Sequence, residues 1–130
     1  MDFNPGFRFS VLDGVIIAAA LLGAWYLHPY SWLLSAIVLF VVAHFFLFCN
    51  IIRMSRMPEL IWASIFVPLT TASISLNLIS WYISAALSLL STAVLVLREI
   101  RQPFYHGVLW KRLNPGLPDW FEANSKDCKA

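Results

Sequence analysis

Arg53-Met54-Ser55-Arg56-Met57-Pro58-Glu59 is the one charged island between two runs that contain no Asp, Glu, Lys or Arg, Gly14 to Ile52 and Leu60 to Leu97. Each run is about 40 residues long, whereas a helix rising about 1.5 Å per residue needs only about 20 to cross a hydrocarbon core of about 30 Å. Each run therefore reads as a helical hairpin that crosses a bilayer and returns. The heptapeptide is the hinge between the two hairpins.

The composition agrees. Hydrophobic residues make up 60% of the 130 and charged residues 12%, against about 25% charged in soluble domains. The net charge is only +2, but the nine basic and seven acidic residues all lie before Gly14, in the hinge or after Leu97. Lipid is the solvent this pattern suits, and the length is that of one domain. Cys49 and Cys128 have no His partners at ligand spacing and read as a packed thiol and a tail thiol. Asp2 and Asp13 interrupt a signal-peptide pattern, so the first span is read as retained.

Four spans follow in order. Phe3, Phe7 and Phe9 around Asn4-Pro5-Gly6 suit a headgroup layer, and Ser10 with Asp13 resembles a capping box that starts span 1 near Val11. Span 1 (11–27) pairs Ala19 with Gly23 and Ala20 with Ala24, small residues four apart that let another helix approach. His28-Pro29-Tyr30 breaks the run, since proline cannot continue a helical ladder, and Trp25, Tyr26, Tyr30 and Trp32 form an aromatic belt there. Span 2 covers 33–52. Span 3 (59–76) starts at Pro58-Glu59 and should kink at Pro68. The return turn is expected near Asn77, with Trp81 and Tyr82 anchoring span 4 (81–97), whose Ser80, Ser84, Ser88 and Ser91 make a small polar stripe. Pro103 stops it. In the tail (104–130), Phe104, Val108, Leu109 and Trp110 suggest a short amphipathic helix on the bilayer surface, ended by Asn114-Pro115-Gly116 and Pro118.

Charge placement decides the number of crossings. With four spans, all nine Lys and Arg residues share one side, and the positive-inside rule makes it the cytoplasm. With three, the last six would cross over and the bias would vanish. The expectation is an all-α membrane protein of two helical hairpins, both termini cytoplasmic, in a bacterial inner membrane, with reduced thiols. A faint echo, Arg53-x-x-Arg56-x-Pro58 against Arg98-x-x-Arg101-x-Pro103, hints that the hairpins are duplicates.

Chemistry is sparse. His44, Asn50 and Asn77 are the polar residues read as lying within the membrane, and His44 sits about 17 Å from the outer end of span 2. Polar groups at such depth are costly, so His44 is weighed as a hydrogen-bonding post, a proton carrier or a haem ligand. Haem would need a second His44 from another copy or a partner protein, and no cofactor is expected. Asn50, Arg53, Arg56 and Glu59, joined by Arg98, Glu99 and Arg101, form a candidate site for a phospholipid headgroup, a quinone head or a partner protein, with Asn50 and Arg53, three apart, expected on one helix face. No metal site, phosphate loop or catalytic set is legible, and the bases serve orientation rather than nucleic acid. The chain reads as a non-enzymatic accessory or oligomer-forming subunit whose partners are the bilayer, other membrane subunits or itself. The alternatives are a small channel or transporter with a path between subunits, using Thr70, Thr71, His44 or Asn77, and a haem-, quinone- or lipid-binding redox component.

Overall fold

The computed structural model describes residues 4–125, and among these every regular element is helical. The order is α1 (Val11–Leu27), α2 (Trp32–Phe46) continuing into a π-helical turn (Leu47–Ile52), α3 (Arg56–Ile74), α4 (Trp81–Glu99), α5 (Trp110–Leu113) and α6 (Leu117–Ser125). Trp32–Ile52, Arg56–Ile74 and Trp81–Glu99 are long and apolar enough to cross a membrane, and Val11–Leu27 is a shorter apolar helix. Asp2, Phe3 and Cys128, which entered the sequence reading, lie outside the described residues, as do two of the nine basic residues, Lys126 and Lys129.

The helix starts are local and legible. Ser10 Oγ accepts from the Asp13 N–H at 3.3 Å while the Asp13 carboxylate accepts from the Ser10 N–H at 2.7 Å, a complete capping box. Ser31 Oγ accepts from the Leu34 N–H at the head of α2. Residues 75–80 form the turn between α3 and α4, with Asn77 at φ 50°, a left-handed position that asparagine tolerates. Leu60 to Leu97 is therefore a hairpin and not one long helix. α3 runs on past Pro68.

Packing pairs α1 with α2 and α3 with α4, the closest backbone approaches lying within each hairpin. The hairpins meet through large side chains instead. Phe48, Trp62, Phe66 and Leu95 form the buried core, flanked by Phe40, Leu47 and Trp81. On α4 the buried polar stripe is Ser84, Ser88 and Thr92, ending at Glu99. Ser80 is exposed and Ser91 half-buried, because a stripe advancing strictly by three or four drifts around a 3.6-residue helix.

The tail departs from expectation. Residues 100–109 form a turn-rich loop rather than an amphipathic helix, and helix resumes only at Trp110, after Leu109 takes a left-handed φ of 58°. Pro118 does not end a helix. It sits in the first turn of α6, where its missing N–H has no cost. The reason for the loop lies in what its backbone must bind elsewhere in the chain.

Candidate functional site

The last carbonyls of a helix have no partner in their own turn, and after the π-helical segment two distant parts of the chain supply them. The Arg8 N–H donates to the Asn50 carbonyl at 3.2 Å and the Val108 N–H to the Ile51 carbonyl at 2.8 Å. The Gly6 N–H donates to the His106 carbonyl at 2.8 Å, tying the two capping segments together. Gly107 lies so close that a Cβ there would be 2.3 Å from the Ile52 carbonyl oxygen. Tyr105, buried within the loop, donates its hydroxyl to the Val108 carbonyl at 2.8 Å, and the Asn114 amide donates to the carbonyls of Pro103 and Tyr105. The N-terminal arm, the hinge and the tail loop thus interlock at one end of the bundle.

This interlock divides the predicted ligand cluster. Arg53 takes a left-handed φ of 54° and turns inward, its guanidinium donating to the Asn4 carbonyl at 2.5 Å and the Gly6 carbonyl at 3.5 Å. Burial, with a smaller contribution from the Arg8 charge, lowers its pKa. Asn50 and Arg53 do not share a helix face, because the wider π-helical turn and the left-handed residue break the three-residue spacing. Arg56 is exposed in the first turn of α3, and Glu59 is half-buried there. Arg98 and Arg101 are exposed and line a groove with Val94, Leu97 and Gln102. Between them Glu99 is buried, and its carboxylate accepts from the Ser55 N–H at 2.9 Å, fastening the hinge to the end of α4. The echo of Arg53 and Arg56 in Arg98 and Arg101 is one of letters, since Arg53 is a clamp outside helix and Arg98 lies within one.

His44 forms the second constellation. Its Nδ1 lies 2.8 Å from the Phe40 carbonyl oxygen, and because a carbonyl only accepts, Nδ1 carries a proton. A neutral ring then presents Nε2 as a bare acceptor, and this atom is buried without a hydrogen-bond partner. The ring stacks on Trp62 with centroids 4.6 Å apart and an 18° interplanar angle, with Phe40 at 4.3 Å and the edge of Phe48 at 5.8 Å. Trp62 in turn stacks on Phe66 at 4.8 Å and donates its indole N–H to the Ser88 carbonyl at 3.3 Å. His44 is thus part of the wall between the hairpins.

The other intramembrane candidates separate. Asn50 is buried with its amide nitrogen unpartnered, whereas Asn77 is exposed in the α3–α4 turn and sits at the helix ends, not between them. Thr71 Oγ1 returns to the Val67 carbonyl, while the Thr70 hydroxyl is buried without a partner. Sequence reasoning missed Trp62 and Phe66 as organising residues, and placed Glu99 in the ligand cluster, where instead it is buried and holds the Ser55 N–H. Phe40, His44 and Phe48 at four-residue spacing, with Trp62 and Phe66 likewise, were the available signal. Among the described residues no group of three or more His, Cys, Asp or Glu could hold a metal ion, and Cys49 is a free, half-buried thiol. Comparison with protein-family models, with curated proteins and with solved structures gives no match for this chain.

Proposed function

We propose that this chain crosses a bacterial inner membrane four times, with both termini cytoplasmic, and serves there as a non-enzymatic accessory or oligomer-forming subunit. The topology draws support from the bundle end at which the N-terminal arm, hinge and tail loop interlock, since every described Lys and Arg lies in the arm, in the hinge or from the last turn of α4 onward. α1, with 17 residues, has the shortest length that still spans a core of about 30 Å.

The subunit role rests on the outer face of α1. Ala24 is the one buried residue of that helix, and Ala20 beside it is half-buried. The second small pair has no such partner: Ala19 is exposed, and a Cβ built on Gly23 would meet nothing within 4 Å. In lipid, small residues four apart gain little unless another helix packs on them. The channel reading has less support, because the buried Ser84, Ser88 and Thr92 hydroxyls donate to the Leu69, Ser84 and Ser88 carbonyls and present no open polar path. Crosslinking in native membranes followed by purification in mild detergent tests the role. The chain should emerge with a fixed partner or as an oligomer, and Gly23→Leu should abolish this while leaving the monomer folded. A lone monomer before and after substitution would refute it.

A further inference from the structure

We infer that the groove at the end of α4 binds an anionic phospholipid, with Arg98 and Arg101 holding the headgroup phosphate and Leu90, Val94 and Leu97 carrying an acyl chain. Val94, Leu97 and Arg98 lie in the last turns of α4 and Arg101 in the turn that follows it, and the four line one groove with Gln102, while Leu90, four residues before Val94, extends the apolar side a turn further back. Leu90 is 63%, Val94 57% and Leu97 53% exposed, a continuous apolar track ending at two guanidinium groups. Neither guanidinium has a hydrogen bond or carboxylate partner among the described residues. The nearest carboxylate in sequence, Glu99, is unavailable to them, because it is buried on the other side of the helix and engaged with the Ser55 N–H.

Two exposed cations at the end of an apolar strip select a ligand that joins a net negative head to a hydrocarbon tail. Guanidinium groups can each donate two parallel N–H bonds to phosphate oxygens. A choline headgroup would bring its own cation against the pair, so phosphatidylglycerol should be preferred over phosphatidylcholine. The inference rests on the membrane reading above, in that α4 must meet a bilayer surface at its C-terminal end.

The test is native mass spectrometry of the full chain released from nanodiscs holding equal amounts of phosphatidylglycerol and phosphatidylcholine. Wild type should retain phosphatidylglycerol selectively, and R98Q/R101Q should lose that retention by about tenfold or more, while R98K/R101K keeps most of it. K111Q/R112Q removes the same charge from the tail and should leave retention unchanged. Equal retention of both lipids by wild type, or no loss in R98Q/R101Q, would overturn the site. Displacement of the lipid by millimolar inorganic phosphate would equally overturn it, since it would mark a free-anion site. Because retention is read on folded protein whatever its orientation, failure here leaves the four-crossing topology standing, and that topology is tested separately by labelling in cells.

Discussion

Gly107→Ala places a methyl carbon 2.3 Å from the Ile52 carbonyl oxygen and 2.7 Å from the Tyr105 hydroxyl. The first neighbour is backbone at the end of a helix, so the tail loop is what must move. Moving it stretches the Val108–Ile51 and Gly6–His106 backbone bonds, both 2.8 Å, and disturbs the buried Tyr105 hydroxyl on Val108. Each hydrogen bond is worth about 0.5–1.5 kcal/mol, and partial exposure of Tyr105 adds about 1 kcal/mol. The two backbone bonds and the Tyr105 exposure together come to about 2–4 kcal/mol in favour of the undocked loop. Amide hydrogen exchange in detergent micelles reads this directly: Val108 exchange should accelerate by about 30- to 1,000-fold, with amides in mid-α2 and mid-α4 unchanged. Exchange at Val108 within threefold of wild type would refute the capping of the π-helical turn by the tail.

His44→Ala should lower unfolding stability by about 2–4 kcal/mol in detergent, through the void left between Phe40 and Trp62. His44→Phe keeps the ring and removes the unpartnered Nε2, so it should cost less than about 1.5 kcal/mol. Glu99→Ala removes the acceptor of the Ser55 N–H and should cost about 1.5–3 kcal/mol by denaturant titration, with Glu99→Gln keeping much of the bond. Burial pushes the Tyr105 hydroxyl pKa up from its ordinary value. A hydroxyl with a raised folded pKa contributes stability that is complete below the unfolded value of about 10 and is lost as pH rises through the folded one. Phenolate absorbance should therefore show a tyrosine titrating late, and Tyr105→Phe should remove that late component.

The hinge, the two hairpins and the turns at Pro29 and Asn77 were legible because each is signalled locally, by charge, proline or a left-handed residue. What escaped depends on partners far along the chain. Arg53 looked like a free interfacial cation, but its carbonyl partners are Asn4 and Gly6, more than forty residues away. The π-helical turn leaves no local mark, since it is stabilised by Arg8 and Val108. The same two-sided demand explains the tail, where apolar spacing at Phe104 and Val108 suggested a helix although the backbone there is occupied in capping another. In the site, the exposure of Arg98 and Arg101 followed from their type. The inward turn of Glu99 between them did not, because it answers to Ser55 across the hinge.

An even number of crossings puts the hinge and the tail on one side of the membrane. Single cysteines placed by Leu78→Cys, Arg56→Cys and Lys111→Cys, in a chain whose Cys49 and Cys128 are replaced by serine, can be labelled with a membrane-impermeant maleimide in intact cells. Four crossings predict immediate labelling from outside at position 78, with positions 56 and 111 reacting only after permeabilisation. Labelling of 56 and 111 from opposite compartments would contradict the topology.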